Sequence, residues 1–243
     1  MIKVTHAMVL AAGLGTRMRP ITDRLPKCLI PVSGRALIDR TIDRFQEAGV
    51  KTVVVNVHHL ADMVERHLKA RRQPTILVSR EEERLETGGG VKKALPLLGE
   101  GPFLVANADA MWLNGPDDAL KRMRQRWNDG EMDALLLLHS TVDAYGYEGL
   151  GDFLVDPVGR LTRRPEREVV PNLFAGVQIL SPRLFEGTPD GPFSLNVVYD
   201  KAIEAGRLFG IVHDGEWFHV GTPEGLAEAE AYLSVRFAGK PRR

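Results

Sequence analysis

The residues with the clearest capacity for chemistry are glycines and basic side chains near the start of the chain. The segment "VLAAGLGTRMRPITDRLPKCLIPV" (9–32) runs from an apolar stretch into Gly13-Leu14-Gly15-Thr16 and then carries Arg17 and Lys27. Glycines in a tight turn let the backbone approach a ligand, and successive outward amides form an anion-binding concavity. Arginine clamps phosphate oxygens in a bidentate manner, whereas lysine supplies a compact point charge. The spacing predicts a phosphate site; the alternative is a solvated basic loop after an ordinary turn.

The loop differs from the common nucleotide-binding motifs. A Walker loop needs glycine-lysine-serine/threonine, and a dinucleotide fingerprint needs a further glycine that opens a helix. Pro20 and Pro26 disfavour a helix directly after the turn. We therefore expect an irregular loop that lies over the ligand.

An acid at the end of a predicted strand is a second chemical candidate. The stretch "FLVANAD" is apolar and ends at Asp109. In open parallel sheets, ligands bind at the carboxyl ends of the strands, and carboxylate oxygens suit Mg²⁺. Asp109 is thus a candidate Mg²⁺ ligand; the alternative is an N-cap for the following turn.

The composition excludes several function classes. The 32 Lys and Arg residues balance 32 Asp and Glu residues, so no global charge attracts nucleic acid or an anionic membrane. The single cysteine, Cys28, excludes an internal disulfide framework. The apolar run at the start is too short for a signal peptide, and no segment approaches the roughly twenty apolar residues of a membrane span. We expect a cytoplasmic protein.

Strand and helix patterns alternate along the first 145 residues. Strand patterns occupy 7–12, 51–57, 75–79, 101–107 and 133–139, and helix patterns occupy 36–49, 60–70, 88–95 and 115–127. This alternation predicts an α/β fold with a mostly parallel sheet and helices on both faces.

After residue 145 the pattern changes. We expect a β-hairpin over 151–164, a strand over 172–180, a helix over 194–206 and a final helix opened by Thr222-Pro223. Without a low-complexity linker, 1–243 is predicted to be one domain, with halves at 1–145 and 146–235 and a frayed tail at 236–243.

The opening segment, with its leucine-alanine-alanine-glycine-x-glycine-threonine-arginine and later proline-lysine, resembles the signature of sugar-1-phosphate nucleotidyltransferases. The resemblance implies a doubly wound, GT-A-like Rossmann-type fold with a small β-hairpin region on the sugar side. It also implies an Mg²⁺-dependent reaction in which a sugar 1-phosphate oxygen attacks the α-phosphorus of a nucleoside triphosphate, and pyrophosphate leaves. Residues 1–145 would bind the nucleotide, and 146–235 the sugar.

The resemblance also assigns roles to individual residues. Arg17, Lys27 and Asp109 would be catalytic, with Asp109 holding the metal. The nucleotide would lie against Ala11, Ala12, Gly13, Leu14, Gly15, Thr16, Glu83, Gly88 and Gly89. The sugar would lie against Asn107, Gly151, Arg163, Arg164, Asn172 and Gly176.

Base recognition is expected near "EEERLETGGG". Relatives have a glutamate or glutamine five positions before a small-residue turn, which corresponds here to Glu83. A carboxylate accepts the N–H of uracil, thymine or guanine, but not the acceptor edge of adenine or cytosine. The alternative is an exposed acidic loop. Gly88 and Gly89 would let a base stack on the backbone.

The second metal-binding acid of the family is missing. In "EWFHVGTPEG", His219 stands in its place, and imidazole suits Mn²⁺ better than Mg²⁺. His219 would hold a metal-bound water, or another cation would be preferred, or Asp200 would replace the acid, or catalysis would be lost. For Asp200 the alternative is a solvated helix position.

The sugar motif also departs from the family. Arg163, Arg164 and Pro165 stand where relatives have glutamate-lysine-proline. Arg164 keeps a charge for the sugar phosphate. We hypothesise that Arg163 favours a sugar that carries a carboxylate; the alternative is a surface arginine.

Within the family, the short length and "LETGGGVKKAL" are most similar to uridylyltransferases of cell-wall recycling that act on N-acetylmuramate α-1-phosphate. The alternatives are a guanylyl- or thymidylyltransferase for heptose, mannose or glucose 1-phosphate, and a non-catalytic nucleotide-sugar sensor. The expected partners are the nucleoside triphosphate and the sugar 1-phosphate, without nucleic acid or membrane, and the chain would be a monomer or a dimer.

Overall fold

The computed structural model describes residues 2–238, which form thirteen strands and six α-helices. The strands are β1 (His6–Leu10), β2 (Pro31–Val32), β3 (Arg35–Ala36), β4 (Thr52–Val57), β5 (Thr75–Arg80), β6 (Phe103–Asn107), β7 (Ala110–Leu113), β8 (Ala134–Ser140), β9 (Phe153–Val155), β10 (Leu161–Arg163), β11 (Asn172–Leu180), β12 (Leu208–Val212) and β13 (Glu216–His219). The helices are α1 (Leu37–Glu47), α2 (Ala61–Leu68), α3 (Glu86–Leu98), α4 (Ala119–Arg126), α5 (Asn196–Glu204) and α6 (Pro223–Arg236).

The central sheet is mixed and mostly parallel. Strands β6, β1, β4 and β5 lie side by side in parallel. Strand β11 runs antiparallel to both β6 and β8, and β12 runs parallel to β8. The carboxyl ends of the four parallel strands therefore meet at one edge, where a ligand site is expected.

Apolar cores cover both faces of the sheet. Successive residues of β1 point to opposite faces, so Val9 joins the core under α1, α2 and α4, whereas Met8 joins the core under α3 and α5. Continuous burial of this kind is typical of parallel strands covered on both sides. The predicted doubly wound fold is confirmed, and so is the hairpin, in which β9 and β10 pair antiparallel.

Some predicted boundaries were wrong. The helix expected over 115–127 begins only at Ala119, because the Asp118 carboxylate caps it by accepting from Lys121 N at 2.7 Å. Strand β7 was missed; it pairs with β13 in a separate two-stranded sheet. The final helix begins as predicted, with Thr222 as its cap. Of the predicted tail, Arg236 closes α6, and 239–243 lie outside the described residues.

A third apolar cluster fixes the basic loop. Met18, from the loop after β1, is fully buried with Phe218 of β13 and with Ala229 and Leu233 of α6. The last strand and helix thus hold the loop over the sheet edge. Among the helices of residues 2–238, none is long and apolar enough to cross a membrane.

Candidate active site

A pocket of about 350 Å³ opens where the parallel strands end. Of the residues predicted from the sequence, those that line it are Ala11, Ala12, Gly13, Gly15, Thr16, Arg17, Lys27, Asn107 and Asp109. The pocket is also lined by Asn56, Glu81, Arg84, Glu86 and Thr87, which the sequence analysis missed as site residues. Leu14 belongs to the same loop but is half-buried away from the lining. The predicted phosphate loop and the predicted acid therefore share one cavity.

The glycine loop is folded back on the basic segment. Gly15 has a φ of +63°, and a Cβ there would lie 2.8 Å from Cγ2 of Thr22 and 3.1 Å from Cβ of Lys27. The Thr22 hydroxyl donates to the Gly15 carbonyl at 2.8 Å. Only glycine combines this backbone conformation with so close an approach. The turn therefore brings Lys27 beside the loop amides.

Lys27 and Asp109 form an ion pair in the pocket. Their side chains are 15% and 31% exposed, so both are partly shielded but remain open to a ligand. Asp109 follows β6, and Lys27 begins a short 3₁₀ turn over 27–29. A cation and an acid in direct contact at the strand ends can bind a phosphate and a metal side by side.

His219 lies against Arg17 at the mouth of the pocket. Nη1 of Arg17 is 3.4 Å from Nε2 of His219. Burial lowers the pKa of His219, and the charges of Arg17 and Lys27 lower it further against the opposing effect of Asp109. The imidazole is therefore neutral near pH 7.

A divalent cation has a limited set of ligands here. Among residues 2–238, no group of three or more His, Cys, Asp or Glu side chains is placed to hold a metal ion. Asp109 supplies a carboxylate, which fits Mg²⁺, an ion that keeps water and substrate phosphates as its other ligands. The residues thus fit a cation that arrives with a nucleotide. His219 is close enough to Asp109 for the carboxylate charge to raise the pKa of the imidazole.

Of the acidic run 81–83, Glu81 lines the pocket, and not Glu83. Glu81 is 3% exposed and lines the pocket, whereas Glu83 is exposed and does not. Glu81 continues the pairing of β5, because its N–H donates to the Val57 carbonyl at 2.8 Å, and it shares the buried face of Ser79 while Arg80 between them is exposed. Glu83 lies in the bend that follows and is exposed. The strand pattern extended to residue 81 is therefore the signal that identifies Glu81.

Gly88 and Gly89 also differ from the prediction. Both lie in α3, and neither lines the pocket. A Cβ on Gly88 would lie 2.4 Å from the Phe193 ring, and one on Gly89 would lie 2.3 Å from the Gly191 carbonyl oxygen. Close packing against the 191–193 segment accounts for both glycines, and stacking of a base on them is not supported.

Of the predicted sugar-side residues, Gly151 contacts Tyr147, and Asn172 contacts the residue that follows Gly151. The Tyr147 hydroxyl accepts from Gly151 N at 3.1 Å, and its ring meets that of His219 edge-on at 6.4 Å between centroids. Asn172 accepts from Asp152 N at 2.8 Å through its carbonyl, one residue beyond Gly151. This group therefore adjoins the pocket through His219.

Gly176 and Arg164 complete this side. A Cβ on Gly176 would lie 3.2 Å from Nδ2 of Asn107, which lines the pocket. Arg164 donates to the carbonyls of Pro165 and Glu168, both at 3.1 Å. No carboxylate of residues 2–238 lies within ion-pair distance of Arg164, so its charge is available to an anion.

Arg163 and Asp200 do not have the roles considered for them. Nε and Nη2 of Arg163 both donate to Oδ1 of Asp200 at 2.8 Å, and the guanidinium lies over the rings of Phe153 and Tyr199. Asp200 therefore neutralises the charge that was expected to favour a carboxylated sugar. Asp200 is itself engaged outside the pocket, which removes it as a metal ligand.

The chain is similar to known proteins over nearly its whole length. A sequence model described as "Nucleotidyl transferase" matches residues 6–235. N-acetylmuramate alpha-1-phosphate uridylyltransferase of Caulobacter vibrioides is 45% identical over 94% of this chain and 96% of its own length. The enzyme of the same name from Neisseria meningitidis is 36% identical over 93% of this chain and 96% of its own length.

A solved structure shares the fold. HddC from Yersinia pseudotuberculosis, complexed with GMP-PN, superposes with a TM-score of 0.76 at 22% identity, covering 95% of this chain and 100% of that protein. At this sequence identity, the structural similarity shows a shared fold and nothing further.

Proposed function

Because the chain belongs to the nucleotidyl transferase family, we propose that it transfers a uridylyl group from UTP to N-acetylmuramate α-1-phosphate. The products are pyrophosphate and UDP-N-acetylmuramate, and the reaction serves cell-wall recycling. The observation that carries the proposal is the convergence of Arg17, Lys27 and Asp109 on one pocket beneath a glycine loop. The choice of uracil and N-acetylmuramate is supported by the two relatives that carry this name.

The glycine loop and the two cations bind and orient the triphosphate. Ala11, Ala12, Gly13, Gly15 and Thr16 line the pocket, so the amides of this loop surround the phosphates. Arg17 contacts oxygens of the transferring group and the leaving pyrophosphate, where negative charge develops. Lys27, held by Asp109, places its ammonium between the reacting phosphates. Preorganised charges of this kind are the main source of catalysis in phosphoryl-type transfer.

The sugar phosphate needs no general base. A phosphate monoester has a second pKa of about 6, so its oxygen is already an anion near pH 7. That oxygen forms a bond to the α-phosphorus, and the bond from the α-phosphorus to the oxygen bridging to the β-phosphate breaks. Arg164 holds the sugar phosphate, and Asn107, Gly151, Asn172 and Gly176 surround the sugar. Orientation for in-line attack is what these residues contribute.

We include Mg²⁺ in the proposal as the cofactor, with Mn²⁺ as a possible substitute. Asp109 would hold the ion together with phosphate oxygens, and His219 would contact one of its water ligands. When bound, the ion neutralises charge on the phosphates. We place the reaction in the cytoplasm.

The decisive experiment measures pyrophosphate release. UTP, GTP, dTTP, CTP and ATP are each combined with N-acetylmuramate, mannose, heptose and glucose 1-phosphates, with Mg²⁺ and Mn²⁺ in parallel. We expect the highest kcat/KM for UTP with N-acetylmuramate α-1-phosphate. Preference for GTP or dTTP would overturn the specificity but keep the reaction class, and nucleotide binding without any turnover would indicate a sensor.

A further inference from the structure

A buried polar bridge connects the two walls of the pocket. Asn56, near the end of β4, is 3% exposed, and its Oδ1 accepts from Ala11 N at 2.8 Å. Its Nδ2 donates to Oε1 of Glu81 at 2.7 Å. Oε2 of Glu81 in turn accepts from Leu85 N at 3.0 Å. Three hydrogen bonds thus join the start of the glycine loop to the segment that leads into α3.

Burying the carboxylate of Glu81 at this position costs free energy. It is almost fully buried, and among residues 2–238 no Lys, Arg or His lies within ion-pair distance of it. Burying a charge without a cation is unfavourable unless hydrogen bonds compensate, and a partly satisfied network is worse than an apolar one. An apolar side chain would avoid this cost but could not accept hydrogen bonds from Asn56 Nδ2 and Leu85 N.

The third glycine of the Gly88-Gly89-Gly90 run makes room for the bridge. A Cβ on Gly90 would lie 2.8 Å from Oε1 of Glu81 and 2.9 Å from Nδ2 of Asn56. Helix α3 therefore passes directly over the central hydrogen bond. This contact accounts for a glycine inside the helix, where it is otherwise unfavourable.

We propose that Asn56 and Glu81 are positioning residues that fix the spacing between the glycine loop and the 85–87 segment, and thereby set the affinity for the nucleotide. Ala11 begins the loop that lines one wall, and Leu85 precedes Glu86 and Thr87, which line the other. The inference rests on the proposed function, because it assigns the bridge to the nucleotide half of that site. Both side chains also line the pocket, and the role proposed for them is the one that they exert through the backbone segments that they hold.

The polarity of the bridge has one consistent arrangement. Ala11 N and Leu85 N are donors, so Asn56 must accept at one end and donate to Glu81, and Glu81 must accept twice. Asn56→Asp removes the central donor and places two carboxylates together. Glu81→Gln places an amide donor against either Asn56 Nδ2 or Leu85 N. The double variant reverses the central bond, because the introduced glutamine amide then donates to the introduced aspartate while its carbonyl still accepts from Leu85 N.

This reversal provides the test. UTP affinity is measured by calorimetry for wild type, Asn56→Asp, Glu81→Gln and the double variant, together with KM for UTP, KM for the sugar 1-phosphate, kcat and Tm. Each single variant is expected to weaken UTP binding about tenfold or more, in line with an unsatisfied buried group, with little change in KM for the sugar 1-phosphate. The double variant is expected to recover UTP binding to within about threefold of wild type.

Two further variants distinguish the proposed effect on UTP binding from a simple loss of folding. Gly90→Ala pushes a methyl group against the bridge from a position outside the pocket lining and is expected to raise KM for UTP. Glu82→Gln makes the same chemical change at an exposed neighbour outside the lining and is expected to leave UTP binding unchanged.

The proposal is overturned if the double variant binds UTP no better than the single variants, or if the single variants lower Tm while UTP affinity stays at the wild-type value. The proposed function fails separately, when wild-type protein binds UTP but does not release pyrophosphate with N-acetylmuramate α-1-phosphate. Calorimetry tests the bridge in either case, because it measures UTP affinity and does not depend on turnover.

Discussion

Nη1 of Arg17 and Nε2 of His219 lie 3.4 Å apart although 202 positions separate them in the chain. A guanidinium only donates hydrogen bonds, so the imidazole nitrogen facing it is the acceptor, and the proton of His219 is on Nδ1. The contact joins the loop after β1 to the end of β13. It places a neutral side chain at the position where the sequence resemblance led us to expect a metal-binding acid.

Arg17→Ala is expected to lower kcat/KM by about 10²–10³-fold, because the variant loses a charge that stabilises the transferring group. Arg17→Lys should recover part of this loss as a point charge without bidentate geometry. Pyrophosphate release measures the effect, with UTP affinity as the control. Full activity in Arg17→Ala would remove this residue from the catalytic group.

His219→Asp is expected to raise the ratio of Mg²⁺-supported to Mn²⁺-supported activity. A carboxylate is a harder ligand than imidazole, so it favours Mg²⁺. The measurement compares kcat/KM with each metal in wild type and variant. An unchanged ratio would show that the side chain at position 219 does not influence the ion.

The sequence predicts the parts of the fold that depend on local pattern, and it is less informative where distant residues decide. The parallel strands were found from continuous apolar runs, and the glycine loop from its spacing. Strand β7 is not predicted because its three buried residues and one half-buried residue have no periodicity, and they are extended only by pairing with β13, over a hundred positions away. The partner of Arg163 is not predictable either, because Asp200 lies 37 positions away and nothing in the sequence relates the two residues.

At the candidate site, the sequence indicated the right segments more securely than the right residues. The acidic run 81–83 was recognised as part of the base side, but Glu83 was chosen by counting back from the glycines. In the structure Glu81 lines the pocket, because its N–H still pairs with the Val57 carbonyl of β4 and it is buried, whereas Glu83 lies in the exposed bend that follows. Gly88 and Gly89 were interpreted as ligand contacts, whereas their neighbours are Phe193 and Gly191 from a remote loop.

Gly15→Ala and Gly13→Ala form a matched pair. Alanine at position 15 must adopt a φ of +63° with its Cβ 2.8 Å from Thr22, which we expect to lower the free energy of unfolding by about 1–3 kcal/mol. Nothing lies within 4 Å of a Cβ on Gly13, so that variant should keep wild-type stability while its methyl group weakens nucleotide binding. Urea unfolding and UTP calorimetry separate the two effects; equal stability of both variants would contradict the role assigned to Gly15.

Cys28 is expected to be unreactive in the folded protein. Burial raises the pKa of its thiol to about 12, so the thiolate is scarce at pH 8. Because it is the sole cysteine, labelling by a chromogenic disulfide reagent reports this thiol alone. One equivalent should react in denaturant and almost none in buffer, and rapid labelling of the native protein would disprove the assignment.

His213 is expected to make stability depend on pH. His213 is 4% exposed, and its Nε2 donates to the Leu113 carbonyl at 3.0 Å. Its pKa is lowered, mainly because the side chain is buried. In the unfolded chain a histidine has a pKa of about 6.5, so the unfolded chain binds this proton more readily than the folded chain. The stabilisation from the neutral imidazole is therefore present above about pH 6.5 and is lost as the pH falls through the lower pKa of the folded state. His213→Gln keeps a donor for Leu113 but does not titrate. The fall in free energy of unfolding between pH 7.5 and 5.5, measured in urea, should therefore be smaller in the variant, because the carboxylates contribute equally to both proteins; an identical fall would exclude His213 as the source.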